Sequence, residues 1–131
     1  MSIITAKTIP ALLIHRVRQS SEQPALQFKQ DDAWQRQTWL QVGSRVSQMV
    51  SVLGNLGVKP GDCVIQVAEN CSQWIIADLA IQACGAIHVP VHTPLTGSQI
   101  AYQISFTAAP GNHTAGFFYP ALPTSGFSFT S

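Results

Sequence analysis

The stretch CVIQVAENCSQWIIADLAIQACGAIHVPV, residues Cys63 to Val91, decides the fold class. Cys63 to Val67 (CVIQV) reads as a short buried strand, following the turn signal Lys59-Pro60-Gly61-Asp62. Asn70 or Ser72 is placed to cap a helix from about Gln73 to Cys84, in which Trp74, Ala77, Leu79, Ala80 and Ile81 give broad apolar coverage. Gly85 ends that helix, and Ala86 to Val91 (AIHVPV) reads as the next strand. Strand, helix and strand in about 29 residues is the length of a βαβ unit, whose crossover makes the two strands parallel. The fold class expected is therefore α/β.

Working outward toward the N-terminus, Val42, Val46, Met49, Val50 and Leu53 recur along one face of a helix. Thr38 is placed to cap it, and Gly57 suits its C-terminal end. Upstream, Pro24 to Lys29 and Trp34 to Trp39 alternate apolar with polar residues around a turn at Gln30 to Ala33, a pattern that predicts a β-hairpin. A first helix, capped by Thr8 with Pro10 at its second position, carries Ile9, Leu12, Leu13 and Val17 and runs to about Gln19. Toward the C-terminus, Pro90 closes the second strand and leads into a loop from His92 to Leu95. A last helix, capped by Thr96, covers roughly Gly97 to Ser105. From Phe106 onward no period survives, because Pro110-Gly111, Asn112, Gly116, Pro120, Pro123, Ser125 and Gly126 punctuate every few residues. An irregular tail is expected there, although it holds six of the eleven aromatic residues and so lacks the composition of ordinary solvated disorder.

The whole chain has 131 residues, 46% hydrophobic and 10% charged, which is one domain's worth of sequence and enough to build a core. Seven cations against six carboxylates leave a net charge of +1, too little for the basic face that a nucleic-acid partner requires. No apolar run approaches the roughly 18 residues of a transmembrane segment, and Met1 to Lys7 lacks the features of a signal peptide, so a cytoplasmic protein is expected. Cys63, Cys71 and Cys84 form neither a CxxC pair nor a disulfide framework. All thirteen charged residues lie between Lys7 and Asp78, so the last 53 residues carry none. Folded surfaces need mixed charge for solubility, and this asymmetry marks the end of the sequence as unlike a complete, selected fold.

Several pieces stand in a familiar order: Thr8-Ile9-Pro10-Ala11-Leu12-Leu13, Pro24-Ala25-Leu26, Thr38-Trp39 and Gly57-Val58-Lys59-Pro60-Gly61-Asp62-Cys63-Val64. Glu69-Asn70, Trp74, Asp78-Leu79-Ala80, Gly85-Ala86, Val89-Pro90, Leu95-Thr96 and Tyr102 continue it. This order resembles the N-terminal part of the AMP-forming (adenylate-forming) acyl-CoA synthetases, most closely the long-chain fatty-acid CoA ligases, over about Thr8 to Ser105. The departures are Cys63 and Cys71 where arginine or another polar residue is common, Gln73 for glutamate, and His92 for tyrosine. The resemblance implies a partial N-terminal α/β subdomain, residues 1–105, followed by an off-family tail, residues 106–131. It also implies, for full-length members, ATP, magnesium and coenzyme A as cofactors, and fatty acid and CoA as the partners of the reaction.

The resemblance further implies that the chemistry is missing here. A reaction that develops charge on phosphates needs fixed cations and N–H donors around them. Family members supply a Thr/Ser/Gly-rich loop ending in Pro-Lys-Gly and a further catalytic lysine. In this sequence the last arginine is Arg45 and the last lysine Lys59. Thr124-Ser125-Gly126 matches only the opening of such a loop, and Phe127-Ser128-Phe129 follows without a lysine. The adenine-site motif has no counterpart. No catalytic, cofactor-binding or metal-ligating residue is assigned, and no cofactor is expected to be bound by this chain.

Other chemistry-bearing residues have structural readings. His88 and His92 flank Pro90 but lack the third ligand that a zinc site needs, so strand and loop packing is expected. Glu69 and Asp78 suit capping or a local ion pair. Cys63 and Cys84 read as core thiols, with no basic group placed to activate them, and Cys71 as the most exposed of the three. Trp34, Trp39 and Trp74 are expected in the core or at a subdomain contact rather than lining an acyl pocket. Two functions from different classes fit these features. One is an inactive N-terminal fragment of a long-chain acyl-CoA ligase, cut after about Ser105 by a frameshift or gene break. The other is a non-enzymatic module that docks on a full-length ligase through an open sheet edge.

Overall fold

A computed structural model describes residues 6–69, 71–91 and 94–107 with their side chains, and the backbone of residues 114–119 and 128–130. Helix α1 (Ile9–Ser20) starts where Thr8 accepts a hydrogen bond from the Ala11 amide, with Pro10 in a first turn that needs no donor. Strands β1 (Pro24–Gln30) and β2 (Ala33–Thr38) pair antiparallel. Asp31 and Asp32 between them have φ of 49° and 59°, both left-handed, the backbone of a two-residue turn whose twist matches that of the strands. Thr38 ends β2 and caps α2 (Trp39–Asn55) in a reciprocal box: its hydroxyl accepts from the Gln41 amide and the Gln41 side chain accepts from the Thr38 amide. Val42, Val46, Met49 and Leu53 form the buried stripe of α2, as their spacing predicts.

The chain leaves α2 through Gly57 at φ 88° and turns at Lys59 to Asp62, where the Asp62 carboxylate accepts from the Lys59 amide at 2.8 Å. Strand β3 (Cys63–Val67), helix α3 (Ser72–Ala83) and strand β4 (Ile87–Val91) follow, and β3 and β4 pair parallel with Val64 opposite His88 and Gln66 opposite Pro90. The βαβ unit is thus present over the expected residues. Its helix start differs in detail: Cys71 is the N-cap and makes no side-chain capping bond, while Ser72 is already helical and its hydroxyl donates to the Gln73 side chain. Asn70, the other expected cap, lies outside the described residues. Gly85 adopts φ 71° after the helix and its carbonyl accepts from the Gly61 amide, so the end of α3 is tied to the turn before β3.

Alternation along β3 divides the core into two layers. Val64 packs with Leu13, Val42, Val46, Met49, Leu53, Ile76, Ala77, Ala80 and Ile81 from the three helices on one face. Ile65 and Val67, with Val91 and Val89 of β4, pack on the other face against Leu95, Ile100 and Ile104. The last two come from α4 (Gly97–Thr107), which runs two residues past its expected end.

The expectation of a wholly irregular tail is corrected. Strand β5 (Thr114–Tyr119) pairs parallel with β3 on the side away from β4, and β6 (Ser128–Thr130) pairs antiparallel with β5, giving the order β4-β3-β5-β6. The physical reason is that β3 is buried along its whole length and can pair on both sides; a neighbour satisfies backbone groups that would otherwise be orphaned. Glycine and proline punctuation hides such a strand from a search for periodicity, whereas Thr114 to Tyr119 still holds Phe117, Phe118 and Tyr119, residues that favour strands.

Candidate functional site

The polar chemistry of the described core lies at the seam of β3, α3 and β4. Residues 64, 66 and 88 alternate onto the face covered by α3, and Trp74, Asp78 and Gln82 recur on α3 at the four-residue spacing that keeps side chains on one face. His88 Nδ1 lies 2.7 Å from Asp78 Oδ1, and the same carboxylate oxygen accepts from Gln82 Nε2 at 2.8 Å. His88 Nε2 lies 2.8 Å from Gln66 Oε1. Trp74 meets the imidazole edge-on, with ring centroids 5.2 Å apart and planes at 72°. Gln66 is fully buried at 0% exposure, and its Nε2 has no partner. Burial pushes the His88 imidazole below its ordinary value, outweighing the upward pull of the Asp78 charge and hydrogen bond.

This constellation is held by three elements, and its polar groups bond chiefly to one another. Both imidazole nitrogens already have neighbours, and no Ser, Thr or Cys among the described residues stands in bonding contact with either, so the pair of His88 and Asp78 activates no nucleophile there. Asp78 takes the structural role its sequence position suggests, bonding the His88 imidazole, a contact that is an ion pair only when the ring is protonated. His92, the second member of the expected histidine pair, lies outside the described residues. Among the described residues no three His, Cys, Asp or Glu side chains gather in metal-binding geometry. Sequence reasoning passes over Gln66. The available signal is a lone amide in the otherwise apolar strand CVIQV.

The remaining candidates separate. Glu69 is exposed just past the end of β3. Cys63 is buried, Cys71 exposed and Cys84 half-buried with its thiol pushed up by burial, the opposite of the lowering that activates a nucleophile. Trp39 is half-buried with the Arg16 guanidinium 5.2 Å from its ring centre. Of the two placements expected for Trp34, core or subdomain contact, the core is corrected: it is 72% exposed, because an isolated hairpin covers only one of its faces and Trp34 sits on the other, opposite Lys29. A groove of about 460 Å³ between α1, β1, α2 and α3 is lined by Ile9, Leu12, Leu26, Trp39 and Ile75, with Arg16 as its single charged group. Thr124-Ser125-Gly126 falls outside the described residues.

Ligands of open α/β sheets sit at the carboxyl ends of the strands. Here those ends are Val67, followed by Ala68 and Glu69, Val91 on β4 and Tyr119 on β5, and no Lys or Arg follows Lys59 in the sequence. The cations lie elsewhere: Lys7 ahead of α1, Arg16 and Arg18 on α1, Lys29 and Arg36 in the hairpin, Arg45 on α2 and Lys59 in the turn. Asp62 and Asp78 are already engaged, with the Lys59 amide and with His88 and Gln82. The described residues therefore do not fit a nucleotide with its magnesium, whose phosphates demand cations and N–H donors. No helix among them is long and apolar enough to cross a membrane.

Comparison with known proteins places this fold. The chain is 32% identical over 120 residues to a methyl-dioxo-octahydroindenyl-propanoyl:CoA ligase of Mycobacterium tuberculosis, covering 92% of this chain and 23% of that protein. It is 25% identical over 101 residues to a long-chain-fatty-acid–CoA ligase of Mycobacterium bovis, covering 77% and 17%. In three dimensions it is similar to the N-terminal domain of the protein FACL13 of Mycobacterium tuberculosis, with a TM-score of 0.78 at 23% identity over 88% of this chain and 28% of that one. The chain thus spans less than a quarter of the two curated ligases just named. Residues 13–110 match the model of the AMP-binding enzyme family, and the chain, with its βαβ core and two packed layers, belongs to that family.

Proposed function

We propose that this chain is an N-terminal portion of a long-chain fatty-acid CoA ligase, and that its 131 residues by themselves carry out neither adenylation of a fatty acid with ATP nor transfer of the acyl group to coenzyme A. The observation that carries this reading is the distribution of charge: every cation precedes β3, and the carboxyl ends of the parallel strands, where substrate phosphates would need them, have none. A long-chain ligase among the curated relatives supports the acyl class. Free Cys63, Cys71 and Cys84 accord with a reducing, cytoplasmic compartment. The test is pyrophosphate exchange by the purified chain with octanoate through palmitate. No exchange above blank is expected; fatty-acid-dependent exchange overturns the inactivity. Translating the DNA beyond codon 100 in three frames tests the parentage. A Thr/Ser/Gly-rich loop with Pro-Lys-Gly is expected, and its absence from every frame counts against a broken ligase.

A docking module is the second reading, favoured by one observation. Strand β4 is an edge of its sheet, and Ile87 on it is more than half exposed. Capture of a full-length ligase by the purified chain, lost on Ile87→Lys, is the result this reading requires.

A further inference from the structure

The hydrogen-bond arithmetic around His88 does not close for a neutral imidazole as the side chains stand. Asp78 Oδ1 and Gln66 Oε1, at 2.7 and 2.8 Å from the two ring nitrogens, are both acceptors. Two acceptors require two N–H donors, which only the imidazolium has. In the same arrangement the Gln66 Nε2 donor is fully buried and unpartnered. A neutral ring instead keeps one proton. The carboxylate fixes it on Nδ1, because a carboxylate only accepts, and Nε2 then becomes an acceptor facing an acceptor. Rotating the Gln66 amide by half a turn removes that clash, bringing Nε2 of Gln66 to donate to Nε2 of His88 and leaving its carbonyl oxygen as the orphan.

We propose that His88 and Gln66 form a proton-driven two-state device at the seam of β3, α3 and β4, in which protonation of the imidazole on Nε2 reverses the Gln66 amide. The step balances simply: one solvent proton is taken up on Nε2, the N–H···N bond from Gln66 breaks, and an N–H···O bond to Gln66 Oε1 forms. Asp78 keeps its bond to Nδ1–H in both states and so acts as the pivot. Among the described residues Asp78 is the ionisable group in contact with the ring; β3 contributes the uncharged Gln66, and α3 adds only Gln82 and Trp74 around the carboxylate and ring. Each state leaves one buried polar atom of Gln66 unpaired, which keeps the two arrangements comparable in cost and makes the choice between them depend on the proton. This device is independent of the ligase reading, since it rests on the core of the chain alone.

Nitrogen-15 NMR of the whole 131-residue chain across about pH 4.5 to 8, a range that brackets the ordinary histidine value, tests it. At the upper end His88 is expected as the Nδ1–H tautomer, with a through-hydrogen-bond coupling between Nε2 of Gln66 and Nε2 of His88. On acidification that coupling disappears and the Gln66 side-chain amide signals move with the same midpoint as the imidazole. Gln66→Glu, which adds a carboxylate acceptor beside Nε2, shifts the His88 midpoint upward; Gln66→Met removes both the donor to the neutral ring and the acceptor from the charged one, and because the charge-assisted bond is the stronger of the two the midpoint shifts downward. A packing role alone moves neither tautomer nor midpoint in this opposed manner. The proposal is overturned if His88 titrates while the Gln66 amide signals stay fixed, if the Nε2–H tautomer dominates above the midpoint, or if the ring takes up no proton before the chain unfolds.

Discussion

His88 sits under Trp74 with Asp78 on one nitrogen and Gln66 on the other, so its charge state is tied to folding. Burial lowers its value in the folded chain, while in the unfolded chain it titrates near its ordinary 6.5. Between those two values the unfolded chain binds more protons, so this contribution to stability is full above about pH 6.5, falls as pH drops from there toward the folded value, and levels off below it. Urea midpoints measured at about pH 5 and about pH 7.5 are expected to be lower at the acid pH. Asp78→Asn removes the attraction that holds the His88 value up and moves the folded midpoint further down, which a histidine NMR titration reads directly. A second residue-scale effect concerns Thr38, whose hydroxyl serves α2: Thr38→Ala is expected to cost about 1 kcal/mol in chemical denaturation. Thr38 is legible as a cap because its hydroxyl needs only its own helix. The His88 cluster is not, because Gln66 and His88 lie 22 residues apart and meet only when β3 and β4 pair.

At the scale of elements, two glycines make opposite predictions. Gly85 closes α3 at φ 71°, and a Cβ there would come within 3.2 Å of Pro60 in the turn before β3. Gly85→Ala is therefore expected to destabilise the chain by roughly 1–2 kcal/mol from backbone strain, with the close approach adding to it. Gly54 lies inside α2, where an added methyl would meet nothing within 4 Å, so Gly54→Ala is expected to stabilise by roughly 0.5–1 kcal/mol. Paired denaturation curves check both signs. The elements themselves are readable where a local signal suffices: apolar spacing for α2, caps at Thr8 and Thr38, the Asp-Asp turn region of the hairpin and Gly85 at the end of α3. Strand β5 escapes such a reading because a strand's pairing partner, not its own period, establishes it, and β3 lies some fifty residues upstream.

At the scale of the whole molecule, one face of the sheet is covered by α3 with α1 and α2 behind it, while the other carries only α4 among the described helices. Tyr102 and Phe106 on α4 are 71% and 73% exposed, and α4 has no charged residue to solvate it. The chain is expected to self-associate: light scattering should show mass rising with concentration, and Tyr102→Lys with Phe106→Glu should reduce it. A sharp, reversible melt of a monomer across that range would contradict this. By itself the sequence determined the α/β class, the order of helices α1 to α4, the βαβ unit and the family, because each depends on side-chain periodicity, local capping or an ordered set of turns. Only the tertiary structure decided that Gln66 and Asp78 share His88, that Trp34 faces solvent and that residues 114–119 extend the sheet. Those outcomes depend on which strands pair and which faces are covered, and free energies of pairing and burial belong to contacts between distant segments that no local pattern records.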